Sequence, residues 1–280
     1  MFLDLHIHST ASDGSLTPEQ VASRATALNL AVFSITDHDT VQAYDEINEA
    51  NIGIPLIPGV ELSAEFSGGT LHILGYGIDP FEKNLRATLD ELQRFRLDRN
   101  RKMISNMARL GFDISFEEVL EEAGADMIGR PHFAALMLKK GYVATRQEAF
   151  DKYLKKGAPL YLDKKRLEPT EAVELIQNAG GIAVMAHPYQ TKLQGDDLRN
   201  LVRQLADYGL EGIEAFYSQH SGEQTKEYLN LANEFGLVAT AGSDFHGDPK
   251  PEIPMGMNVE AQFLRPFFEK LRIPTLEKTS

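Results

Sequence analysis

The chain of 280 residues contains no cysteine. This absence excludes a disulfide scaffold, a thiolate zinc site, an iron–sulfur cluster and a cysteine nucleophile, so any bound metal must be held by His, Asp and Glu. No apolar run reaches the length of a membrane span, and the charged residues within positions 1–8 are unlike a signal peptide or an anchor. We expect a cytoplasmic protein without a membrane partner.

Positive charge is also scarce, since 28 Lys and Arg stand against 41 Asp and Glu and give a net charge of −13. Non-specific binding of nucleic acid depends on Lys and Arg that neutralise phosphates, so we expect no long duplex nucleic acid as a partner. A phosphorylated substrate would need local positive charge from metal ions or from a few arginines. With 42% hydrophobic residues, the chain has the composition of an ordinary globular protein.

Short apolar runs alternate with helical patterns along much of the chain. This alternation is typical of βα units and predicts an α/β fold with a largely parallel sheet. A capping box from Thr17 to Gln20 marks the start of the first helix. We predict helices at 18–28 and 169–179, an edge or irregular strand at 54–61, and strands at 2–7, 31–36, 70–76, 182–186, 212–216 and 237–241.

The alternation stops between residues 80 and 163, where helical periodicity is present without a strand pattern. We therefore predict a helical insertion at 80–163 within a metal-binding domain formed by 1–79 and 164–280, and we expect the insertion to cap the active site. The longest helical pattern spans 84–110, and its apolar stripe consists of Leu85, Leu89, Leu92, Met103, Met107 and Leu110.

Histidines and acidic residues directly follow several of the predicted strands. Because the carboxyl ends of parallel strands meet on one face of a sheet or barrel, we expect these side chains to converge. His6 and His8 are two residues apart, so on a strand they point to the same side and can bind one ion. The other candidate ligands are Asp13, His38, Glu61, His72, His187, Asp244 and His246.

A single histidine after a strand is more often a hydrogen-bonded or surface residue than a metal ligand. Together, however, six histidines and three acidic residues on one rim would leave polar groups uncompensated unless divalent ions are bound. Imidazole and carboxylate ligands without a thiolate suit Mn, Fe and Zn. The pattern therefore predicts a divalent metal site and leaves the choice of metal open.

Five motifs, at residues 4–9, 36–39, 58–61, 186–188 and 242–246, occur in an order that resembles the polymerase and histidinol phosphatase (PHP) family of phosphoesterases. The resemblance implies a distorted (β/α)7 barrel of the PHP type with two to three metal ions. Many relatives have histidine at the position of Asp13. By position, the resemblance implies one ion on His6, His8, Glu61 and Asp244, a second on Glu61, His72 and His187, and a third on Asp13, His38 and His246.

The insertion resembles that of nucleoside 3′,5′-bisphosphate phosphatases and ribonuclease AM-like 5′-exonucleases. Its apolar stripe, extended through a gap, leads to Arg96 and Arg99, and Arg130 and His132 stand at the start of another predicted helix. Guanidinium groups match phosphate geometry and helix N-termini bind anions, so we predict that these four residues bind phosphate. Alternatively, Arg96 and Arg99 pair with acidic residues or extend to solvent, and Arg130 and His132 only mark the start of a helix.

We therefore expect a metal-dependent phosphoesterase that acts on nucleoside 3′,5′-bisphosphates or short 5′-phosphorylated oligonucleotides through a metal-bridged hydroxide. His38, His246 or a metal-bound water near Asp13 would protonate the leaving oxygen, so His38, Asp13 and His246 are the candidate catalytic residues. The alternatives are a phosphatase of the histidinol phosphatase type, an amidohydrolase-type enzyme that cleaves C–N bonds, and a module whose metals only brace the fold. Against the amidohydrolase, Glu61 fills the bridging position and no predicted core strand ends in a lysine that could become a carbamate. Glu214, inside a predicted strand, is expected to have a structural or supporting role.

Overall fold

The computed structural model of the chain describes residues 1–47, 52–123 and 128–273. The chain divides into two compact units. The first consists of Met1–Leu89 and Arg166–Ser280, and the second of Asp90–Lys165. Among the described residues, no helix is both long enough and apolar enough to cross a membrane.

The first unit contains two β-sheets of a mixed α/β fold. The smaller sheet has the strand order β2-β1-β8, and the larger has the order β3-β4-β5-β6-β7. The strands are β1 (Phe2–Ile7), β2 (Phe33–Ile35), β3 (Gly59–Ala64), β4 (Leu71–Tyr76), β5 (Ile182–Met185), β6 (Gly212–Tyr217), β7 (Val238–Gly242) and β8 (Met257–Asn258).

The prediction of a largely parallel sheet is wrong. The pairs β1–β2, β5–β6 and β6–β7 are parallel, but β1–β8, β3–β4 and β4–β5 are antiparallel. Strands β3 and β4 are joined by residues 65–70 alone, a connection too short for the crossover that parallel strands require. Strand β8 is two residues long and carries no periodicity by which the sequence could predict it.

Strand β3 also differs from the prediction, because it begins only after Pro58. The sequence predicts an edge or irregular strand at 54–61, and β3 does lie at the edge of the larger sheet, but the predicted bounds are wrong. Proline cannot donate a ladder hydrogen bond, so regular pairing starts at Gly59 and continues to Ala64. Glu61 therefore lies inside a strand and not at its end.

The helices of the first unit begin largely where the sequence signals predict. The hydroxyl of Thr17 accepts a hydrogen bond of 3.3 Å from the N–H of Gln20, and the Gln20 side chain accepts one of 2.9 Å from the N–H of Thr17. A 3₁₀ turn spans Pro188–Thr191. The α-helices of this unit are α1 (Pro18–Ala27), α2 (Ala43–Glu46), α7 (Pro169–Asn178), α8 (Gly195–Asp207), α9 (Gly222–Phe235) and α10 (Ala261–Lys270).

The second unit is helical, and no strand occurs among the described residues of 80–163. Helix α3 (Lys83–Arg109) starts in the first unit and continues into the second, where α4 (Phe116–Ala123), α5 (Arg130–Lys139), α6 (Arg146–Ala149) and a π-helical turn (Phe150–Leu154) follow. The predicted apolar stripe of α3 is buried except for Leu110, which follows the end of the helix and is 50% exposed. Met103 and Met107 pack with Phe133 and Met137 in the core of this unit.

Strand β1 shows how the first unit places polar groups in its interior. Its residues Leu3 to Ile7 are all fully buried, and successive side chains point to opposite faces of the strand. Leu3 and Leu5 belong to a hydrophobic cluster with Phe267 of α10. Asp4 and His6 lie on the other face, so the interior beside this strand is lined by ionisable groups.

Candidate metal centre

The structure brings all nine predicted metal ligands together in the first unit. Three of them lie within strands: His6 in β1, Glu61 in β3 and His72 in β4. His72 and Glu61 are adjacent because the antiparallel β3–β4 pair places Ser63 opposite His72, two residues from Glu61. The others follow strand ends or lie in the loop after β1: His8, Asp13, His38, His187, Asp244 and His246.

Glu61 lies at the centre of the cluster. It is fully buried, and both of its carboxylate oxygens face imidazole nitrogens. Oε1 lies 2.7 Å from Nδ1 of His72 and 2.8 Å from Nε2 of His187. Oε2 lies 2.9 Å from Nδ1 of His38, 3.2 Å from Nε2 of His6 and 3.2 Å from Nε2 of His8. A carboxylate in this position can bridge two cations.

Three groups of side chains have potential ligand atoms that all lie within 4.8 Å of one another. The first group is the set implied for one ion by the family resemblance. The second adds His8 to the set implied for the third ion, and the third contains Glu61 and His72 with His38 in place of His187. The groups are His6, His8, Glu61 and Asp244; His8, Asp13, His38 and His246; and His38, Glu61 and His72.

Buried atoms in the cluster fit a bound cation. Five of them have no hydrogen-bond partner among the described residues, namely Nε2 of His6, Nε2 of His8, Nδ1 of His38, Nδ1 of His187 and Oε2 of Glu61. Leaving buried polar atoms unpaired costs free energy. Divalent cations would accept lone pairs from such atoms, and nitrogen and oxygen donors of this kind are their normal ligands.

The ionisation of the cluster also indicates a site for cations. Burial alone would raise the pKa of Glu61, but the neighbouring imidazoles of His38 and His72 hold that pKa well below its usual range. Burial would lower the pKa of His8, yet the nearby carboxylates of Asp244 and Glu61 raise it to about 9. The carboxylates thus stay ionised and attract cations, either as protons on imidazoles or as metal ions.

His72 has the opposite character. Burial lowers its pKa to about 4, and the neighbouring imidazoles of His38 and His187 add to this effect, against the attraction of Glu61. The imidazole of His72 is therefore neutral at pH 7. A neutral imidazole keeps the lone pair that a metal ligand needs.

Glu214 of β6 positions two of the ligands. It is fully buried, and its Oε1 lies 2.9 Å from Nδ1 of His6 while its Oε2 accepts a hydrogen bond of 2.7 Å from the N–H of His187. A proton on Nδ1 of His6, donated to this carboxylate, leaves the lone pair of Nε2 directed at Glu61 and Asp244. The contacts agree with the supporting role expected of Glu214.

Three buried aspartates connect the loops that carry the ligands. Each accepts one hydrogen bond from the N–H and one from the hydroxyl of a single serine, with distances between 2.6 and 3.1 Å. Each pair joins different strands or their flanking loops, next to candidate ligands. The pairs are Asp4 with Ser243, Asp37 with Ser9, and Asp39 with Ser63. Sequence reasoning missed these contacts because they join residues far apart in the chain.

Two of the candidate ligands have unusual backbone conformations. His187 has φ 22° and Asp244 has φ 62°, in the region that favours glycine. Each is held there by a hydrogen bond from its own N–H, His187 to Glu214 at 2.7 Å and Asp244 to the carbonyl of His6 at 2.9 Å. Strained backbone of this kind is found at functional sites, where the surroundings enforce it.

The four predicted phosphate-binding residues lie in the second unit. Arg96 and Arg99 are half-buried on α3, whereas Arg94 and Arg101 are exposed, as the extended stripe predicts. The remaining two stand at the start of α5. Arg130 donates a hydrogen bond of 3.2 Å to the carbonyl of Leu154 and lies 5.2 Å from the ring centre of Tyr161, and Nδ1 of His132 accepts one of 3.1 Å from the N–H of Gly129. Their role in binding phosphate stays a prediction.

Several curated relatives and solved structures resemble the chain. It is 35% identical to a 3′,5′-nucleoside bisphosphate phosphatase of Chromobacterium violaceum over 94% of this chain and 98% of that protein. It is 34% identical to a 5′-3′ exoribonuclease of Salmonella typhimurium over 90% of this chain and 87% of that protein. A C. violaceum structure described as an amidohydrolase with bound sulfate and no metal has a TM-score of 0.81 at 34% identity and covers 96% of this chain and 95% of its own. A Bifidobacterium adolescentis structure described as a metal-dependent phosphoesterase has a TM-score of 0.78 at 29% identity and covers 96% of both chains.

The family model of the PHP domain matches residues 4–217, which contain seven of the nine clustered ligands. The chain belongs to the PHP family. The match, its relatives and the clustered imidazoles and carboxylates define a metal-dependent phosphoesterase, a hydrolase of phosphoric esters. The resemblance derived from the five sequence motifs is thereby confirmed.

Proposed function

We propose that the enzyme hydrolyses phosphate esters of nucleotides, either a nucleoside 3′,5′-bisphosphate or a short 5′-phosphorylated oligonucleotide. The observation that carries this proposal is the contact of both Glu61 oxygens with five imidazoles, in a cluster suited to several divalent ions. Relatives named for a bisphosphate phosphatase and for an exoribonuclease support the nucleotide part.

We also propose that the two sheets form the distorted (β/α)7 barrel of this family. Isolated bridges support it on both sides of the smaller sheet. Ile7 of β1 pairs with Phe245 beyond β7, and on the other side Phe33 of β2 pairs with Leu56 and His38 pairs with Glu61. These pairings connect both edges of the larger sheet to the smaller one.

The cluster would hold two to three ions of Mn, Fe or Zn. Such ions, when bound, polarise the phosphoryl group and supply a nucleophile from water near neutral pH. Glu61 holds its two oxygens toward different imidazoles, and Glu214 fixes the ring of His6 by accepting from Nδ1. No protein nucleophile is needed for this chemistry.

The three groups predicted to protonate the leaving oxygen differ in exposure. The side chain of His38 is 19% exposed and that of Asp13 is 36% exposed, whereas that of His246 is 4% exposed. Nδ1 of His38 faces Glu61, and its Nε2 lies 3.8 Å from Oδ2 of Asp13. We propose that His38, which solvent and substrate can reach, delivers this proton, that the ionised carboxylate of Asp13 orients His38, and that His246 holds Asp13 from within.

Phosphate binding by Arg96, Arg99, Arg130 and His132 would give specificity for a second phosphate. The start of α5 supports anion binding, since Arg130 and His132 lie in its first turn, at the positive end of the helix dipole. The role of residues 80–163 in capping the active site also stays a prediction.

The second candidate is hydrolysis of a C–N bond, which the description of the C. violaceum structure as an amidohydrolase favours. The bridging position of the cluster is occupied by the carboxylate of Glu61, and this favours phosphoesters. Release of ammonia in place of phosphate would identify the alternative.

The test is a substrate panel on protein loaded with Mn, Zn or Mg in turn. Adenosine 3′,5′-bisphosphate, a 5′-phosphorylated RNA oligomer and histidinol phosphate are compared by release of phosphate and of mononucleotide. We expect turnover of the bisphosphate or the oligomer to exceed that of histidinol phosphate. Turnover of histidinol phosphate alone, or of no phosphate ester, contradicts the proposal.

A further inference from the structure

Lys250 places a positive charge beside the metal centre. Its Nζ donates a hydrogen bond of 2.8 Å to Oδ2 of Asp244. The other oxygen of Asp244, Oδ1, faces Nε2 of His6 at 3.5 Å and Nε2 of His8 at 3.1 Å. The Lys250 side chain is 34% exposed, so its ammonium is within reach of a ligand from solvent.

The loop that carries Lys250 is restrained by its own sequence and hydrogen bonds. Pro249 and Pro251 flank the lysine, and proline fixes its own φ angle. The N–H of Lys250 donates to the carbonyl of Gly247 at 3.1 Å, and its carbonyl accepts from the N–H of Ile253 at 3.0 Å. The backbone restraints and the contact of Nζ with Asp244 limit the movement of the ammonium group before a ligand arrives, which reduces the entropy lost on binding.

Asp244 has a second partner on the same oxygen. The hydroxyl of Tyr217 donates a hydrogen bond of 2.8 Å to Oδ2, so this atom is satisfied without the lysine. An ammonium group has three N–H donors, and the contact with Asp244 requires one of them. Lys250 therefore retains donors for a further acceptor.

The charges around the metal centre indicate which acceptor Lys250 would bind. Asp13, Glu61, Glu214 and Asp244 are acidic, and they repel a phosphate dianion that approaches the ions. Lys250 is a cation in contact with one of these acids and open to solvent, and ammonium groups are common phosphate ligands. We propose that Lys250 binds a phosphate group of the substrate and determines the affinity of the site for it. This inference rests on the proposed phosphoesterase function.

The experiment measures binding of inorganic phosphate to the metal-loaded protein by calorimetry, together with the metal content of each variant. We expect Lys250→Met to weaken phosphate binding on the order of tenfold, the loss typical of one charge-assisted hydrogen bond. With a phosphomonoester substrate, KM should rise by a similar factor while kcat changes much less. Lys250→Arg, which keeps the charge, should restore most of the affinity.

Lys270→Met is the matched control. Lys270 also pairs with a carboxylate at 2.8 Å, that of Glu211, and its side chain is 38% exposed. This variant should bind phosphate as the wild type does. Two results would overturn the inference: unchanged phosphate affinity in Lys250→Met, or a loss of phosphate binding that follows a loss of metal, which would show that Lys250 only holds Asp244.

The two proposals fail separately in this design, because phosphate binding is measured without turnover. Lys250-dependent phosphate binding in a wild-type protein that cleaves no phosphate ester supports the assignment of Lys250 and refutes the proposed function. Cleavage of nucleotide esters together with Lys250-independent phosphate binding refutes the assignment and leaves the function in place.

Discussion

Glu61 shows how much of the metal centre depends on one carboxylate. Its side chain is fully buried, and its Oε1 contacts both Nδ1 of His72 and Nε2 of His187. Both imidazoles therefore face the same negative charge. A neutral amide of the same shape would keep the packing but could present only one oxygen to the cluster. The effects on metal binding and on folding can therefore be separated at this position.

We expect Glu61→Gln to lower kcat by more than about a hundredfold, since even the partners of metal ligands contribute about ten- to a hundredfold. Metal content should fall as well, while the circular dichroism spectrum stays that of the wild type. Glu65→Gln is the control, because Glu65 is 48% exposed and pairs with Arg166 on the surface. Wild-type turnover in Glu61→Gln would contradict the bridging role.

Arg130 tests the predicted phosphate site of the second unit. We expect Arg130→Ala to raise KM for a nucleoside bisphosphate on the order of tenfold, since a charge-assisted hydrogen bond to the second phosphate is lost. KM for a simple aryl phosphate, which lacks that phosphate, should change little. Steady-state kinetics on both substrates decides. Equal effects would mean that Arg130 acts through its contacts with Leu154 and Tyr161.

Between elements, the aspartate–serine pairs hold neighbouring strand ends together. Asp37, directly after β2, accepts hydrogen bonds from the N–H and hydroxyl of Ser9 at 2.7 and 2.6 Å and from the hydroxyl of Ser12 at 2.5 Å. Ser9 follows the candidate ligand His8, and Asp37 precedes His38. The pair therefore positions two ligands from two different loops.

We expect Asp37→Asn to destabilise the protein by about 1–3 kcal/mol, because the amide replaces one acceptor oxygen by a donor at a buried site. Asp45→Asn removes an exposed ion pair with Arg86 and should cost about 0–1 kcal/mol. Urea unfolding of both variants without metal measures the difference. Equal destabilisation would contradict a special role for the buried aspartate.

The sequence predicts these elements to different extents. Helices α1 and α7 follow from capping and proline signals, and β1, β6 and β7 follow from apolar runs, because all of these signals are local. The antiparallel pairing of β3, β4 and β5 depends on long-range contacts, so alternation of strands and helices led to the wrong sheet type. Propensity says nothing about which strand lies beside which.

The candidate ligands were predictable because each has metal-binding chemistry and most follow a recognisable strand. The residues that position them were harder to find. Tyr217 and Lys250 have no motif of their own, and only the fold places both on Oδ2 of Asp244. A lysine between two prolines after the last ligand motif is a weak signal in a single sequence.

At the scale of the whole chain, the account depends on ligands from both ends of the sequence meeting in one unit. Nε2 of His6 lies 3.5 Å from Oδ1 of Asp244, and contacts with Glu61 bring His72 and His187 into the same cluster. Divalent cations would compensate such a concentration of imidazoles and carboxylates. The number of bound ions is therefore the quantity to measure.

The most direct test is anomalous diffraction from crystals of the protein reconstituted with manganese, iron or zinc. The account predicts two to three anomalous peaks per chain, one of them beside His6, His8, Glu61 and Asp244, with Glu61 in contact with two ions. A single peak, or none, among these side chains would contradict it.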